Sequence, residues 1–209
     1  MKKIIPYKSS NEAISSLDNG GRFYNILTKA EDGIISGAEL GKVGGIFNNK
    51  QKMMLFLELS ISDLDQQSKD VIISKLDNDL EEVYEKYKPQ YLLPSEAQSQ
   101  GIISSNAIIT GVPKLTESKS DFNGFLMVPV VTNNVTTFIM IPLIDKYDVY
   151  EVRDEASADT FFIAHTKGSK KLPEKKIKVA GVLKELKANK EEKKASKKFL
   201  ETLYYLDLE

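Results

Sequence analysis

The hydrophobic pattern changes its period near Pro89 and Pro94, and this change constrains the fold more than any other feature of the sequence. Before these prolines, apolar residues recur three or four positions apart, which is typical of amphipathic helices. After them, short segments rich in Val, Ile, Thr, Phe and Tyr alternate with turn residues, which is typical of strands. The sequence therefore predicts an α+β protein with a small helical N-terminal domain over residues 1–90, a linker over 91–101 and a strand-rich domain over 102–209.

Four segments of the N-terminal half are predicted to be helical, and they cover residues 12–28, 36–48, 50–60 and 63–88. The second is weakened by glycines, each of which costs about 1 kcal/mol relative to alanine in a helix interior. The third, KQKMMLFLELS, is apolar and rich in helix formers, so we expect a buried helix there. The last carries one apolar stripe, and we expect a single amphipathic helix that Ser62 caps and Pro89 ends.

Seven segments of the C-terminal half are predicted to be strands, and they cover residues 102–115, 125–131, 136–144, 147–152, 160–166, 177–186 and 199–208. Phe125 to Ile144 is an uncharged stretch of twenty residues, which is long enough to cross a membrane. It contains prolines, threonines and the polar pair Asn133-Asn134, so we expect a β-hairpin and no membrane span. The start of the chain lacks the apolar run of a signal peptide, and we expect a cytoplasmic protein.

Cysteine is absent and His165 is the single histidine. Disulfides, thiolate metal sites, a cysteine nucleophile and a multi-histidine zinc site are therefore excluded. A Ser-His-Asp triad would have to use His165. Strand alternation puts this residue on the same side as Phe161 and Ile163, so we expect a structural histidine. No other catalytic constellation is visible, and the sequence predicts no enzyme and no cofactor.

The net charge is −1, but lysines are concentrated near the C-terminus. Residues 167–198 contain 13 lysines and 4 glutamates, which gives +9 for that segment. The part over 187–198, KANKEEKKASKK, is low in complexity, and we expect a mobile loop between the last two strands.

Residues 28–40, TKAEDGIISGAEL, resemble an EF-hand calcium loop between two predicted helices. The resemblance rests on Gly33 at the sixth loop position, Ile35 at the eighth and Glu39 at the twelfth. The metal ligands that it implies are Asp32, Ser36 and Glu39.

This loop departs from the calcium-binding pattern at its first and third positions, which normally carry carboxylate or amide groups. Thr28 and Ala30 occupy them here, so few charged oxygens are available. The segment also resembles the acid-Gly turn of helical tellurite-resistance domains. The structural alternative is a helix-turn-helix in which Glu39 caps backbone amides.

Residues 102–209 resemble an OB-fold, a five-stranded, partly open barrel. The resemblance rests on the last two predicted strands with the lysine-rich segment between them, on the preceding strand and Gly168, and on Gly181, which would mark a bend. We therefore expect an antiparallel β-barrel of OB-like type. The resemblance implies that the barrel face and loops bind single-stranded nucleic acid or peptides.

Lysines of the last two strands and their loop are the candidate phosphate contacts, and aromatic residues of the preceding strands are the candidates for base stacking. The predicted set is Lys184, Lys187, Lys190, Lys193, Lys194, Lys197 and Lys198 with Phe161 and Tyr150, and Phe162 and Tyr147 are further aromatic candidates. The acidic stretch Asp145 to Asp159 would oppose phosphate binding on the same face.

Three functions follow from these patterns. The first is a non-catalytic protein-interaction module that uses the barrel domain to bind a protein partner. The second is single-stranded nucleic-acid binding through the barrel and its lysines. The third is a helical module that responds to a divalent metal. The sequence leaves the oligomeric state open.

Overall fold

The contacts within this computed structural model separate two units, Lys2–Pro89 and Gln90–Glu209 together with Met1. The structure describes residues 1–21, 29–116, 125–132, 135–142, 146–154, 159–186 and 197–208. The division between the units falls at Pro89, where the hydrophobic period changes. Within these ranges no helix combines the length and the apolar character that crossing a membrane requires.

The described elements of the N-terminal unit are helices apart from one two-residue strand. Its elements are β1 (Lys2–Lys3), α1 (Ser10–Leu17), α2 (Gly37–Gly44), α3 (Lys50–Ser60), α4 (Gln66–Ile73) and α5 (Asn78–Tyr87). The buried helix predicted over 50–60 is confirmed as α3, in which every residue from Met53 to Ser60 is buried. The first two predicted helices are present but shorter, and residues 22–28 lie outside the described ranges.

The single long helix predicted over 63–88 is wrong, because the chain breaks between α4 and α5. The side chain of Asp77 caps α5 by accepting a hydrogen bond from the backbone N–H of Leu80 at 2.7 Å. Ile35 occupies the break, where its N–H donates to the carbonyl of Lys75 at 2.7 Å and its carbonyl accepts from the N–H of Asp77 at 2.9 Å. Asp65, and not Ser62, caps α4. The apolar stripe continues across the break, which is why periodicity alone did not reveal it.

The C-terminal unit contains all seven predicted strands and two further elements. These are β2 (Gln90–Leu92), α6 (Pro94–Gln100), β3 (Asn106–Leu115), β4 (Phe125–Thr132), β5 (Val135–Pro142), β6 (Tyr147–Arg153), β7 (Thr160–Thr166), β8 (Ile177–Leu186) and β9 (Lys197–Asp207). The predicted linker over 91–101 is wrong, because β2 and α6 occupy it. Pro94 suits the first turn of a helix, and the Glu96 carboxylate accepts from the N–H of Leu93 at 3.0 Å.

The strand pairings of this unit form a closed circuit that begins and ends at β3. Strand β3 pairs antiparallel with β6 and with β8, β6 pairs antiparallel with β7, and β8 pairs antiparallel with β9. The circuit closes because β7 and β9 pair with each other in parallel. Strand β2 adds to β3 in parallel, and β4 and β5 form a separate antiparallel hairpin.

The prediction of an entirely antiparallel sheet is therefore wrong, and the number of strands explains why. Directions cannot alternate all the way around a closed circuit of five strands, so one neighbouring pair must be parallel. Here that pair is β7 and β9. Strand β7 runs opposite to β6, strand β9 runs opposite to β8, and both β6 and β8 run opposite to β3. Hydrophobic patterns do not reveal direction, so the sequence could not locate this pair.

Two buried clusters lie on opposite sides of the same strands, since successive side chains alternate. The larger cluster contains Tyr150 and Val152 of β6 and Phe161 and Ile163 of β7, together with residues of β3, β8 and β9. The smaller consists of Val149, Ala164, Leu186 and Phe199, with Tyr147 and Phe162 packed partly buried against it. A shift of register between Ala180 and Gly181 lies at the glycine where the bend is predicted.

Candidate functional site

The turn that precedes α2 is held by the carboxylate of Glu39, which is almost completely buried. Its Oε1 atom accepts a hydrogen bond from the backbone N–H of Gly20 at 2.7 Å. Its Oε2 atom accepts from the N–H and from the hydroxyl of Ser36, both at 2.8 Å. Ser36 and Glu39 form a capping box, which confirms the alternative in which Glu39 caps backbone amides.

The other carboxylates of this turn also bind backbone N–H groups. Asp32 accepts from Ile34 at 3.0 Å, and the buried Asp18 accepts from Gly33 at 2.8 Å. Thr28, the first position of the calcium-like loop, lies outside the described residues. In the part of the chain that the structure describes, no three His, Cys, Asp or Glu side chains are placed to hold a metal ion. The geometry thus gives the oxygens of Asp32, Ser36 and Glu39 to the turn itself, and metal binding there stays a prediction.

The side chains of Tyr150 and His165 form a buried hydrogen-bond network, called the relay below, which connects β6, β7 and the loop that follows β7. The Nδ1 atom of His165 lies 3.1 Å from the carbonyl oxygen of Thr166. A carbonyl only accepts, so Nδ1 carries the proton and Nε2 of the neutral ring accepts. The hydroxyl of Tyr150, 3.3 Å away, then donates to Nε2. The same hydroxyl oxygen accepts from the backbone N–H of Leu172 at 3.2 Å.

Burial lowers the pKa of His165, although its bond to Thr166 and the negative charge of Asp148 act in the opposite direction. Burial likewise raises the pKa of Tyr150. Both groups are therefore neutral near pH 7, which is the state that the relay requires. The predicted structural role of His165 agrees with this geometry, since both of its ring nitrogens have partners.

The loop between β7 and β8 presents lysines at the end of the sheet where β6 begins. Lys167, Lys170, Lys171, Lys175 and Lys176 are all exposed, whereas Leu172 is buried in the larger core cluster. The exposed Lys146 joins them, because its carbonyl accepts from the N–H of Lys167 at 3.0 Å. Acidic residues at this end are Asp148, Glu174 and Asp207, and Asp207 pairs with Lys175 at 2.9 Å. Among these described residues six lysines face three acids, a balance of +3.

One aromatic residue, Tyr147, directly follows Lys146, and it lies on the side of the strands that carries the smaller core cluster. Tyr147 pairs across the sheet with Thr166, the last residue before the lysine-bearing loop. The hydroxyl of Tyr147 donates to Glu201 at 2.6 Å, and Lys184 binds the second oxygen of Glu201 at 2.6 Å. Phe162 lies on the same side, half-buried.

The structure separates the predicted nucleic-acid residues into four groups. Phe161 and Tyr150 are 2% and 1% exposed, so neither ring has a free face on which a base could stack. Lys184 pairs with Glu201, and the ammonium of Lys198 donates to the carbonyl of Gly101 at 2.8 Å. Lys197 is exposed at the start of β9. Lys187, Lys190, Lys193 and Lys194 lie outside the described residues, as does most of the predicted mobile loop.

The predicted set of nucleic-acid contacts begins at Lys184 and does not include Lys167, Lys170 and Lys171. The lysine count over 167–198 already included them, so the signal was present in the sequence. What the sequence could not supply was the anchor, because the contact between Leu172 and Tyr150 spans 22 positions.

Comparison of the chain with known proteins finds no matching family model and no matching curated protein. Function therefore has to be inferred from the described residues.

Proposed function

We propose that the C-terminal unit is an OB-like barrel and that the protein is a non-catalytic binding module for single-stranded nucleic acid. The circuit of β3, β6, β7, β9 and β8 supports the barrel, because the OB-fold is also a barrel of five strands. In that fold, ligands bind to the face formed by the second and third strands and to the loops that join strands one and two and strands four and five. Strands β6 and β7 occupy those positions in this circuit.

The observation that carries this proposal is the meeting of exposed lysines with the ring of Tyr147 at the junction of β6 and β7, with Phe162 four positions before Thr166 on the same side of β7. Lys146 and Lys167 flank the paired residues Tyr147 and Thr166. Phosphates of a nucleic acid are bound by such cations, and unpaired bases stack on aromatic rings at about 1–3 kcal/mol per base. A duplex would not offer its base faces to Tyr147 and Phe162, so the favoured ligand is single-stranded.

The composition of the surface favours binding that does not depend on base sequence. Arginine occurs only at positions 22 and 153, whereas the lysine-rich end contains no arginine among its described residues. Lysine acts as a point charge and lacks the planar fork with which arginine reads a base edge. Contacts to the phosphate backbone and stacking on rings are both tolerant of sequence.

Four polar groups that are buried or half-buried support a binding role, since their functional atoms bind other groups of the fold. Tyr150 and His165 hydrogen-bond to each other and to backbone groups, and Glu39 caps α2. Glu201 is shared between Tyr147 and Lys184. Each of these groups that could have acted as an acid or base instead fixes a turn or a strand.

The test is fluorescence anisotropy of a labelled oligothymidine titrated with the full chain at low salt. We expect saturable binding that weakens as salt is added, and weaker binding of a duplex of the same length. Phe162→Ala should reduce the affinity for the single strand, while the matched Phe47→Ala in the N-terminal unit should not. Undetectable binding at low salt, or equal affinity for the duplex, would contradict the proposal.

A protein partner is the second candidate, and exposed apolar side chains around β2 favour it. Tyr91, Leu93 and Ile102 are 52%, 46% and 60% exposed, and β2 ends the path of strand pairings in its unit. An edge strand with apolar neighbours can accept an extended peptide. Tyr91→Lys combined with Leu93→Lys should then abolish a nuclease-resistant interaction in a pull-down. Recovery of the same partner by this variant would exclude the edge of β2 as the contact.

A further inference from the structure

The lysine-bearing loop after β7 is fixed at both of its ends by the buried relay. At its start, His165 donates to the carbonyl of Thr166, the residue before Lys167. At its end, the N–H of Leu172, the residue after Lys171, donates to Tyr150. Tyr150 and His165 also bind each other and stack with ring centroids 5.5 Å apart. One pair of side chains thus closes the segment Lys167–Lys171 into a loop.

The local sequence supports the same ordered conformation. Gly168 has a φ of +87°, a left-handed conformation that glycine adopts without strain, so the chain can turn directly after Lys167. Pro173 restricts the residue before it to extended conformations, and that residue is Leu172. The buried side chain of Leu172 faces the larger core cluster while its neighbour Lys171 is exposed.

We infer that Lys167, Lys170 and Lys171 form a pre-ordered phosphate-contact loop for the nucleic-acid strand, and that Tyr150 and Leu172 are its positioning residues. This inference rests on the proposed function and adds the loop that holds the backbone. Ordering of flexible lysines on binding costs conformational entropy, and a loop ordered in advance avoids the backbone share of that cost. The lysines supply charge, whereas the relay supplies their arrangement.

The experiment measures how the affinity for labelled oligothymidine depends on salt, using the full chain and four variants. Lys170→Gln combined with Lys171→Gln removes two charges and keeps side-chain length. Lys86→Gln combined with Lys88→Gln, at the C-terminal end of α5, is its matched control. Tyr150→Phe removes only the hydroxyl of the relay, and Tyr84→Phe is its matched control in the N-terminal unit. Circular dichroism checks that each variant is folded.

We expect the Lys170/Lys171 variant to lower the slope of log affinity against log salt by about 1.4, since each phosphate contact to a single strand contributes about 0.7. Tyr150→Phe should weaken binding by about three- to tenfold at fixed salt with the slope unchanged, because the charges remain and only their order is lost. Both control variants should bind as the unmodified chain does.

The outcomes separate this inference from the function on which it rests. If the unmodified chain binds oligothymidine and the Lys170/Lys171 variant keeps the full slope, the loop assignment is overturned while the proposed function stands. If Tyr150→Phe binds like the unmodified chain, the positioning role is overturned. If poly-glutamate competes as well as oligothymidine at equal charge, the loop is a general site for acidic polymers and the phosphate assignment fails. If the unmodified chain does not bind at all, both proposals fail.

Discussion

Gly181 packs directly against the backbone of Glu201, and a Cβ atom at position 181 would collide with the carbonyl of Glu201 and lie 2.9 Å from Cα of Thr202. This contact lies at the register shift between β8 and β9. A glycine there allows the two strands to approach while the sheet bends.

Gly181→Ala should therefore destabilise the protein by about 3 kcal/mol, the upper end of the usual cost of forcing extra volume into a packed interior, because the added atom meets backbone. The matched variant Gly168→Ala meets no neighbouring atom within 4 Å and carries only the strain of its positive φ, about 1–2 kcal/mol. Urea denaturation followed by circular dichroism measures both. A loss at position 181 no larger than that at position 168 would show that the contact with Glu201 does not constrain the sheet.

Glu39→Gln should destabilise the N-terminal unit by about 2–3 kcal/mol. The carboxylate accepts hydrogen bonds from Gly20 and Ser36 in a buried position, and an amide nitrogen would face donors there. The matched variant Asp32→Asn affects one exposed bond to Ile34 and should cost less. Thermal melts with and without millimolar calcium complete the test, and we expect no shift with calcium. A calcium-dependent rise that disappears in Glu39→Gln would instead establish the predicted metal site.

Asp77→Ala should lower the free energy of unfolding by about 1 kcal/mol, the usual cost of a lost N-cap. The break between α4 and α5 depends on this cap and on the backbone bonds of Ile35. Glu82→Ala on the exposed face of α5 is the control and should change stability little. Equal stability of the two variants would mean that the bonds of Ile35 alone maintain the break.

The single histidine allows a direct test of the relay by proton NMR titration. Burial lowers the pKa of His165, so its C2 proton should titrate with a midpoint below 6.5. A base whose pKa is lower in the folded state contributes stability that is present above 6.5 and is lost as the pH falls from 6.5 through the folded value. His165→Gln should remove this loss between pH 6.5 and the onset of carboxylate titration. A midpoint at or above 6.5 would contradict a buried, neutral ring.

The local elements could be predicted from the sequence because each has a strong local cause. The apolar helix α3 and the strands β7 and β8 follow from residues that are close together in the chain. The prediction of a single helix over 63–88 is wrong because Asp77 caps a new helix within a continuous apolar stripe, and this capping signal is a single residue. The prediction of an entirely antiparallel sheet is wrong because strand direction depends on which strands pair, and hydrophobic patterns do not reveal that.

The candidate surface was only partly predictable for a related reason. Excess lysine near the C-terminus is a property of composition, and the sequence displays it. Whether an aromatic ring is accessible depends on the side of the strand that carries it. Phe161 is buried in the larger cluster, whereas the next residue, Phe162, lies on the other side of β7 and is partly buried. The sequence favours stacking at Tyr150 because it does not reveal the distant partner Leu172, whose backbone N–H donates to the buried Tyr150 hydroxyl.

Photocrosslinking tests most directly where a single strand binds. The full chain would be irradiated with an oligothymidine that carries photoreactive bases and digested with a protease that does not cut at lysine, and the crosslinked peptides would be sequenced by mass spectrometry. We predict crosslinks within residues 146–154 and 159–176, at the junction of β6, β7 and the lysine-bearing loop. Crosslinks confined to Lys2–Pro89, or no more crosslinks than a protein that does not bind DNA, would contradict a binding site on the C-terminal unit.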